Sequence, residues 1–404
     1  MTARTTTGVE PSLEQFEAAA AAFLRERRVP KIDRAQHWGI GSDAVDLFET
    51  DADDASAPGV IAARDWQREK AEAGYGWISG PPEVGGGGLP TTYQVAFNRL
   101  ESQYEVPDPT PLTLGLHLIR PTVAAWSTGD LRQHMSRALT RGEVLGCQLF
   151  SETEAGSDLA SVRTSARRDG DDWVVSGQKI WTSNAHIADV GLLLCRTGDT
   201  GARHKNLTMF VVDMTTPGVT IRRITQMTGA ASFNEVTFDA VRIPDSRRLG
   251  AVDAGWKVAM STITSERSAI GGGEASNPID VNLLLEMVRR YGTRDSLTLD
   301  LLARARIAIT VAEAFADRCT EQMLSGELNP AMFSVSKLLL TDSLRKVSEL
   351  VDHVLGPRIV ADTGEWGAYA WRLIGLEISA YSVGGGSDEI QRNTVAERCL
   401  GLPR

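Results

Sequence analysis

The spacing of apolar residues changes twice along this chain, and that double change limits what it can fold into. In the first part, Leu13, Phe16, Ala20, Phe23 and Leu24 recur near a 3.6 period. Ser12 stands as an N-cap and Pro30 as a stop. Helices are also expected over residues 62–73, 91–103 and 119–140. The pattern then shifts to short runs rich in β-branched or aromatic residues, at 162–166, 173–176, 191–196, 208–213, 219–223 and 235–241. Gly, Asp, Asn or Pro separates them, as between strands. From Trp256 the helical period returns through Ile263, Leu284, Val288, Leu301, Ile307 and Val311, then Leu338, Leu344, Leu350 and Val354. Gly356-Pro357 breaks it. A last helix is expected from Ser387-Asp388 to Leu400, with Gly401 and Pro403 as its stop. The fold class is α+β, mainly α. An N-terminal α-helical domain (1–147) precedes a middle β-barrel or sandwich domain (148–250) and a C-terminal four-helix-bundle domain (251–404).

Composition excludes several classes. With 404 residues, 42% hydrophobic and 23% charged, the chain is an ordinary globular one, long enough for two or three domains. A net charge of -10 argues against a nucleic-acid surface, and the Arg pairs are scattered. No apolar run reaches the roughly 20 residues of a membrane span. Residues up to Pro11 are polar and lack an apolar signal core. Cys147, Cys195, Cys319 and Cys399 form no Cys-x-x-Cys pair and read as buried free thiols, so a cytoplasmic location is expected. The six histidines have no metal-ligand spacing, and no metal is expected. There is no Gly-x-Ser-x-Gly elbow and no Gly-x-Gly-x-x-Gly after a strand. The run Gly85 to Gly88 is followed by no Lys-Ser/Thr pair, which makes it a connecting loop.

The chemistry concentrates between Gln148 and Asn184. This stretch opens with Ser151-Glu152-Thr-Glu-Ala-Gly156-Ser157-Asp158 and closes with Gln178-Lys179-Ile180-Trp181-Thr182-Ser183-Asn184. Hydroxyls, amides and one large ring recur where a flat, polar-edged cofactor is held. This segment and the helical-β-helical order resemble the acyl-CoA dehydrogenase family. Phe233-Asn-Glu-Val236, Gly255-Trp-Lys-Val-Ala-Met260, Glu266-Arg267, Ser387-Asp-Glu-Ile-Gln-Arg-Asn393 and the ending Ala396 to Arg404 extend the resemblance over nearly the whole chain. It implies an FAD-dependent dehydrogenase that forms a trans-2-enoyl-CoA. A carboxylate removes the proton α to a thioester carbonyl, a hydride leaves the β carbon for flavin N5, and electrons pass to an electron-transfer flavoprotein. The resemblance places Phe150, Ser151, Trp181 and Ser183 along the flavin. Ser151 and Ser183 stand where Thr is usual. Ser157 lies near the cofactor or the CoA arm.

Two departures from the family pattern shape the expected mechanism. Gly385 occupies the site of the usual glutamate base, so the resemblance moves the base to Glu266, and Arg267 contacts the CoA nucleotide. A solvated Glu (pKa ~4.3) is a weak base, and desolvation in a filled cavity raises it toward the working range. The plainer role for Glu266 is an ion pair with a nearby Arg. Glu389 is a weaker candidate, whose charge favours the start of the last helix. The second departure concerns the ADP half of the cofactor. Beside Tyr291-Gly292, Val288 falls at a family Arg and Leu299 near a family Gln, and Gly356-Pro357-Arg358-Ile359 replaces a glycine turn. Three such losses imply pairing with a second acyl-CoA dehydrogenase-like subunit in an α2β2 assembly, as in the branch that degrades steroid side chains. A homotetramer is the other arrangement. Competing functional readings are a non-catalytic structural partner subunit and a flavin oxidase or monooxygenase. The acyl group is not readable, although the Glu-Arg base position resembles members that use bulky or branched thioesters.

Overall fold

The computed structural model describes residues 10–31, 52–198, 203–271, 279–361 and 363–403, without the side chains of 266–271 and 374. They fall into two compact units. One holds residues 10–31 and 52–265, and the second begins at Glu266.

The first unit opens with α1 (Leu13–Arg27), whose capping box joins Ser12 and Gln15. Its buried face of Phe16, Ala20, Phe23 and Leu24 packs with Trp66, Tyr75 and Phe97. Trp66 lies on α2 (Pro58–Glu72) and Phe97 on α3 (Thr91–Glu101). Next come α4 (Thr110–Leu114) and α5 (Arg120–Trp126), joined by a π turn over Gly115–Ile119. Pro121 follows that turn directly, and its missing N–H interrupts the ordinary ladder. The helix expected over 119–140 is split. Ser127 is extended (φ -97°) and Gly129 has φ +54°, so α6 (Ser136–Thr140) is a separate element. The Gly85 to Gly88 run is a connection in close backbone contact. Gly87 N–H donates to Trp77 O at 2.8 Å and Gly88 N–H to Gly80 O at 2.8 Å. A Cβ on Gly86 would lie 2.1 Å from the Gly80 backbone.

All six expected strand runs are strands, although the first sits a few residues later than expected. They are β2 (Ser165–Asp169), β3 (Asp172–Ser183), β4 (Val190–Arg196), β5 (Leu207–Asp213), β6 (Val219–Ile224) and β7 (Phe233–Pro244). Two short strands were not expected from the sequence, β1 (Gly146–Leu149) and β8 (Arg248–Leu249). The sheet order is β6-β7-β3-β2-β4-β5-β8, with β1 parallel to β4. Alternation on β4 and β5 fills two cores. Val190, Leu192, Leu194, Met209 and Val211 pack with helix residues Ile119, Val123 and Leu139. Leu193, Cys195, Phe210 and Val212 pack with Trp173, Val175, Val236 and Phe238. The second cluster joins one face of β4–β5 to one face of β3–β7, so the sheet is folded over on itself, as a barrel or sandwich requires. The unit ends within α7 (Gly255–Gly271).

The second unit is helical. Its elements are α8 (Val281–Tyr291), α9 (Ser296–Ser325), α10 (Met332–Leu355), α11 (Ala368–Val383) and α12 (Asp388–Arg398). The central α10 packs against α9, α11 and α12, the four helices of the expected bundle, with α8 as a fifth. Leu284, Met287, Ile309, Leu344, Val347, Leu350 and Trp371 form its core. Asp295 caps α9, Gly326 ends it in the left-handed region, and Ser387 caps α12 as its sequence implied.

All four cysteines are free; three are buried and Cys399 is half-buried. Burial pushes the Cys195 thiol up to about 12 and Cys147 higher still, so both are inert. Among the described residues no helix is long and apolar enough to cross a membrane, and no His, Cys, Asp or Glu group is arranged to hold a metal ion.

Candidate active site

The site-forming segments are brought together by β1 and β3. The parallel pairing of β1 with β4 delivers Phe150 and Ser151 to the end of the sheet. There the Ile180 N–H donates to Ser151 O at 3.0 Å, which ties this segment to β3. Strand β3 runs antiparallel to β7 with a register shift between Lys179 and Thr182. Before the shift, Trp173, Val175 and Lys179 point inward. The extra residue reverses the alternation. Thr182 is then buried, and Trp181 turns outward with 57% of its surface exposed.

Trp181 has φ +60°, a left-handed conformation that costs a bulky residue about 1–3 kcal/mol. Its indole stands edge-on to Phe233, ring centroids 6.1 Å apart at 87°. Asn234 locks the strand end beneath it, donating from Nδ2 to Thr182 O and to Ser232 O, each at 3.0 Å.

Four of the expected flavin residues share this corner of the first unit. Phe150 is buried, Ser151 and Ser183 are half-buried, and Trp181 is displayed. The two serine hydroxyls enter no hydrogen bond among the described residues. An exposed indole face held at a conformational cost, with unengaged hydroxyls on both neighbouring strand ends, fits a flat ring with a polar edge. Ser157 is exposed on the adjoining loop. That loop is fixed by Asp158, which accepts from Ser161 Oγ and Arg203 Nη2, each at 2.5 Å. The Ser161 hydroxyl, followed by the Arg203 guanidinium, holds the Asp158 carboxyl below its ordinary value. The buried Arg196 guanidinium gathers the carbonyls of Ala160, Val162, Arg203 and Lys205 at 2.6–3.3 Å.

One feature of this corner escaped the sequence reading. Lys179 is fully buried and donates from Nζ to Phe150 O (2.9 Å) and Glu152 Oε1 (2.8 Å). Glu152 also accepts the backbone N–H groups of Arg163 (2.7 Å) and Thr164 (2.9 Å). Burial alone would raise the Glu152 carboxyl. The Lys179 ammonium and these N–H groups outweigh it, and the group sits below its ordinary value. Desolvation lowers Lys179, and the Glu152 carboxylate offsets part of that. Losing one member of such a buried pair costs about 3–5 kcal/mol. The available signal was parity, since Lys179 falls on the inward face shared by Trp173 and Val175, where a charge requires a partner.

The other residues expected to act on substrate belong to later segments of the chain. The backbones of Glu266 and Arg267 lie in α7, and their side chains are outside the described residues. In the second unit, the place of the usual base is a bare glycine turn, with Gly385 at φ +64° and Gly386 at φ +92°. Lys337 Nζ donates to Gly384 O at 2.7 Å and also to Gly386 O, and Gln391 Nε2 donates to Gly385 O at 2.8 Å. Glu389 is exposed in the first turn of α12 and pairs with Arg392 at 3.6 Å. Its carboxyl is lowered first by its own backbone N–H and then by Ser387, as befits a helix-terminal charge.

The segment expected to correspond to the family's ADP contacts packs on its own side chains. Gly356–Ile359 forms a 3₁₀ turn, and the Arg358 guanidinium lies 5.2 Å from the Tyr291 ring centroid. Arg290 pairs with Glu286 at 2.8 Å and stacks 4.5 Å from the Trp366 ring centroid. Ile359 packs onto the bundle core, and Leu299 is exposed.

Comparison with known proteins agrees with this reading of the fold. Residues 147–241 match the family model for the acyl-CoA dehydrogenase middle domain, and 253–400 match the one for its C-terminal domain. Acyl-CoA dehydrogenase IpdE1 of Mycobacterium tuberculosis is 38% identical over 344 residues, covering 84% of this chain and 88% of that protein. The solved structure of the Tcur3481-Tcur3483 steroid ACAD superposes with a TM-score of 0.75 at 23% identity, covering 98% of this chain and 99% of that one. That of the ChsE4-ChsE5 complex from Mycobacterium tuberculosis gives 0.72 at 23% identity, covering 99% of this chain and 100% of that one. The folded-over sheet, the helical bundle and the sequence matches lead to one assignment: this chain belongs to the acyl-CoA dehydrogenase family, oxidoreductases that dehydrogenate acyl-CoA thioesters with FAD.

Proposed function

We propose that this chain is the catalytic subunit of a heteromeric acyl-CoA dehydrogenase, with Glu266 as the base. The observation that carries this reading is Trp181. It is a strained, exposed indole near the end of β3, which offers Ser183, and beside the segment after β1 that offers Ser151. A structural subunit gains nothing from keeping such a residue. FAD held there would supply the acceptor for the hydride that leaves the substrate β carbon. The chain's own work is to hold the ring between Phe150, Ser151, Trp181 and Ser183, to orient the thioester, and to take the α proton. Ser157 and Arg267 serve the CoA arm. The glycine turn at Gly384 to Gly386 carries no carboxylate, so the proton goes to a different group, and Glu266 is the one whose motif position fits.

The proposed partner follows from the second unit. A turn closed by Pro357 and packed by Arg358 and Ile359 offers little approach to a pyrophosphate. A second acyl-CoA dehydrogenase-like subunit then supplies the ADP groove, and an electron-transfer flavoprotein takes the electrons. The similar structures named for a ChsE4-ChsE5 complex and a Tcur3481-Tcur3483 steroid ACAD favour this α2β2 arrangement and a bulky, steroid-derived acyl group.

The test is anaerobic titration of the chain, purified alone and with its co-expressed neighbour, against acyl-CoA thioesters from short linear to polycyclic. Flavin bleaching is expected only in the co-purified assembly and with bulky thioesters. Glu266→Gln should reduce its rate by about 10²–10⁴-fold. Stoichiometric FAD in a homotetramer of this chain alone would defeat the heteromeric reading. Full activity in the Glu266→Gln assembly would favour the second reading, a non-catalytic partner, which the bare glycine turn supports.

A further inference from the structure

The buried Lys179–Glu152 pair sits behind the displayed face of the site, and the proposed reaction gives it no role. Its contacts join β3 to the segment after β1 and to the end of the Ser157 loop. Lys179 Nζ holds the Phe150 carbonyl at 2.9 Å, one residue before Ser151. Lys179 is also the last residue in register before the shift that turns Trp181 outward. The Ile180 N–H, next in sequence, donates to Ser151 O at 3.0 Å. Glu152 reaches in the opposite direction and accepts the N–H groups of Arg163 and Thr164 at 2.7 and 2.9 Å, which close the loop that carries Ser157. One ion pair thus links the Phe150–Ser151 segment, the bulge below Trp181 and the end of the Ser157 loop.

Sheet stability alone does not call for this arrangement. An apolar side chain would fill the inward position of Lys179 as well, because a buried pair offers little net stability over an apolar replacement. What the pair adds is direction. An ammonium with fixed acceptors and a carboxylate with fixed N–H donors lock the local backbone in one geometry. We infer that Lys179 and Glu152 are a positioning pair that holds the Phe150–Ser151 segment and the Trp181 bulge in the arrangement that receives the flavin ring, before the cofactor arrives. The inference rests on the flavin reading of this corner.

The test uses the full chain co-purified with its partner subunit, with FAD as the probe. Lys179→Met/Glu152→Gln removes both charges together, so neither is left buried alone. This double variant should keep the wild-type thermal midpoint within a few degrees, bind FAD at least tenfold more weakly, and lose the near-ultraviolet circular dichroism of the bound flavin. Wild-type FAD affinity and flavin dichroism in the folded double variant would overturn the inference. If the double variant does not fold, hydrogen exchange on the wild type decides. The amides of Arg163, Thr164 and Ile180 should be as protected in cofactor-stripped protein as those of β4. Protection that develops only after FAD is added would overturn the inference. A wild-type assembly that takes up no FAD would instead refute the flavin reading itself, which separates the two failures.

Discussion

The corner around Trp181 and the segment around Pro357, which we assign to the two ends of one cofactor, are built in opposite ways. Around Trp181 the protein accepts a strained backbone and an exposed indole, and two serine hydroxyls enter no hydrogen bond among the described residues. Around Pro357 the side chains pack on neighbours within the same unit. Arg358 lies over Tyr291, Arg290 over Trp366, and Ile359 against the bundle core. Strain persists only where the surroundings enforce it, and it marks sites of function more often than sites of packing. The comparison teaches that one corner displays unpaired chemistry while the other segment packs on its own side chains, which is the contrast the proposed cofactor reading needs. On the proposed reading, that difference calls for a partner subunit.

The largest effect that would break this contrast lies at the indole. Trp181→Ala should weaken FAD binding in the assembly by about tenfold, the worth of one aromatic stacking contact, with an unchanged melting temperature. Fluorescence titration and calorimetry would measure both. A large loss of stability with unchanged affinity would mean that the indole serves packing. A smaller effect is expected at the other end. Arg358→Ala removes a guanidinium from the Tyr291 ring and from Glu365 at 3.4 Å, and it should cost at most about 1 kcal/mol in denaturant melts. FAD content of the assembly should not change. A drop would show that Arg358 binds the cofactor, which would reverse the comparison.

The smallest effect sharpens the account of how the flavin-facing sheet is held. Asp245 accepts from Trp173 Nε1 at 2.8 Å and from Arg248 Nε at 2.9 Å, anchoring the inward face of β3. The Arg248 bond, with a smaller share from Trp173, holds its carboxyl down to about 2. A depressed carboxylate contributes stability above its unfolded value, near 3.9, and loses it as pH falls through the folded one. Asp245→Asn should therefore melt below the wild type at pH 6, and the gap should close between about pH 4 and pH 2.

Much of the architecture was legible because it is local. Ser12 and Ser387 satisfy N–H groups three residues away, so those helix starts can be read from adjacent letters. The six strand runs were legible through composition and their bounding turns. Short β1 and β8 were not, because each is held by a partner distant in sequence, β4 and β5 respectively. The split of the helix expected over 119–140 was also missed, since it turns on Gly129 at positive φ, which the sequence permits without requiring.

The order of amino acids by itself determined the helical-β-helical plan, the glycine at Gly385 and the hydroxyls and indole offered between Gln148 and Asn184, because periodicity and side-chain chemistry are written residue by residue. It did not determine which way those residues face. Plain alternation from Trp173 through Val175 and Lys179 would send Trp181 into the core. One unpaired position against β7 sends it out and buries Thr182 in its place. That choice, and the closure of Lys179 onto Glu152 and Phe150, belongs to the tertiary structure. A strand's register is fixed by the neighbour it pairs with, and a buried charge by the partner folding brings to it.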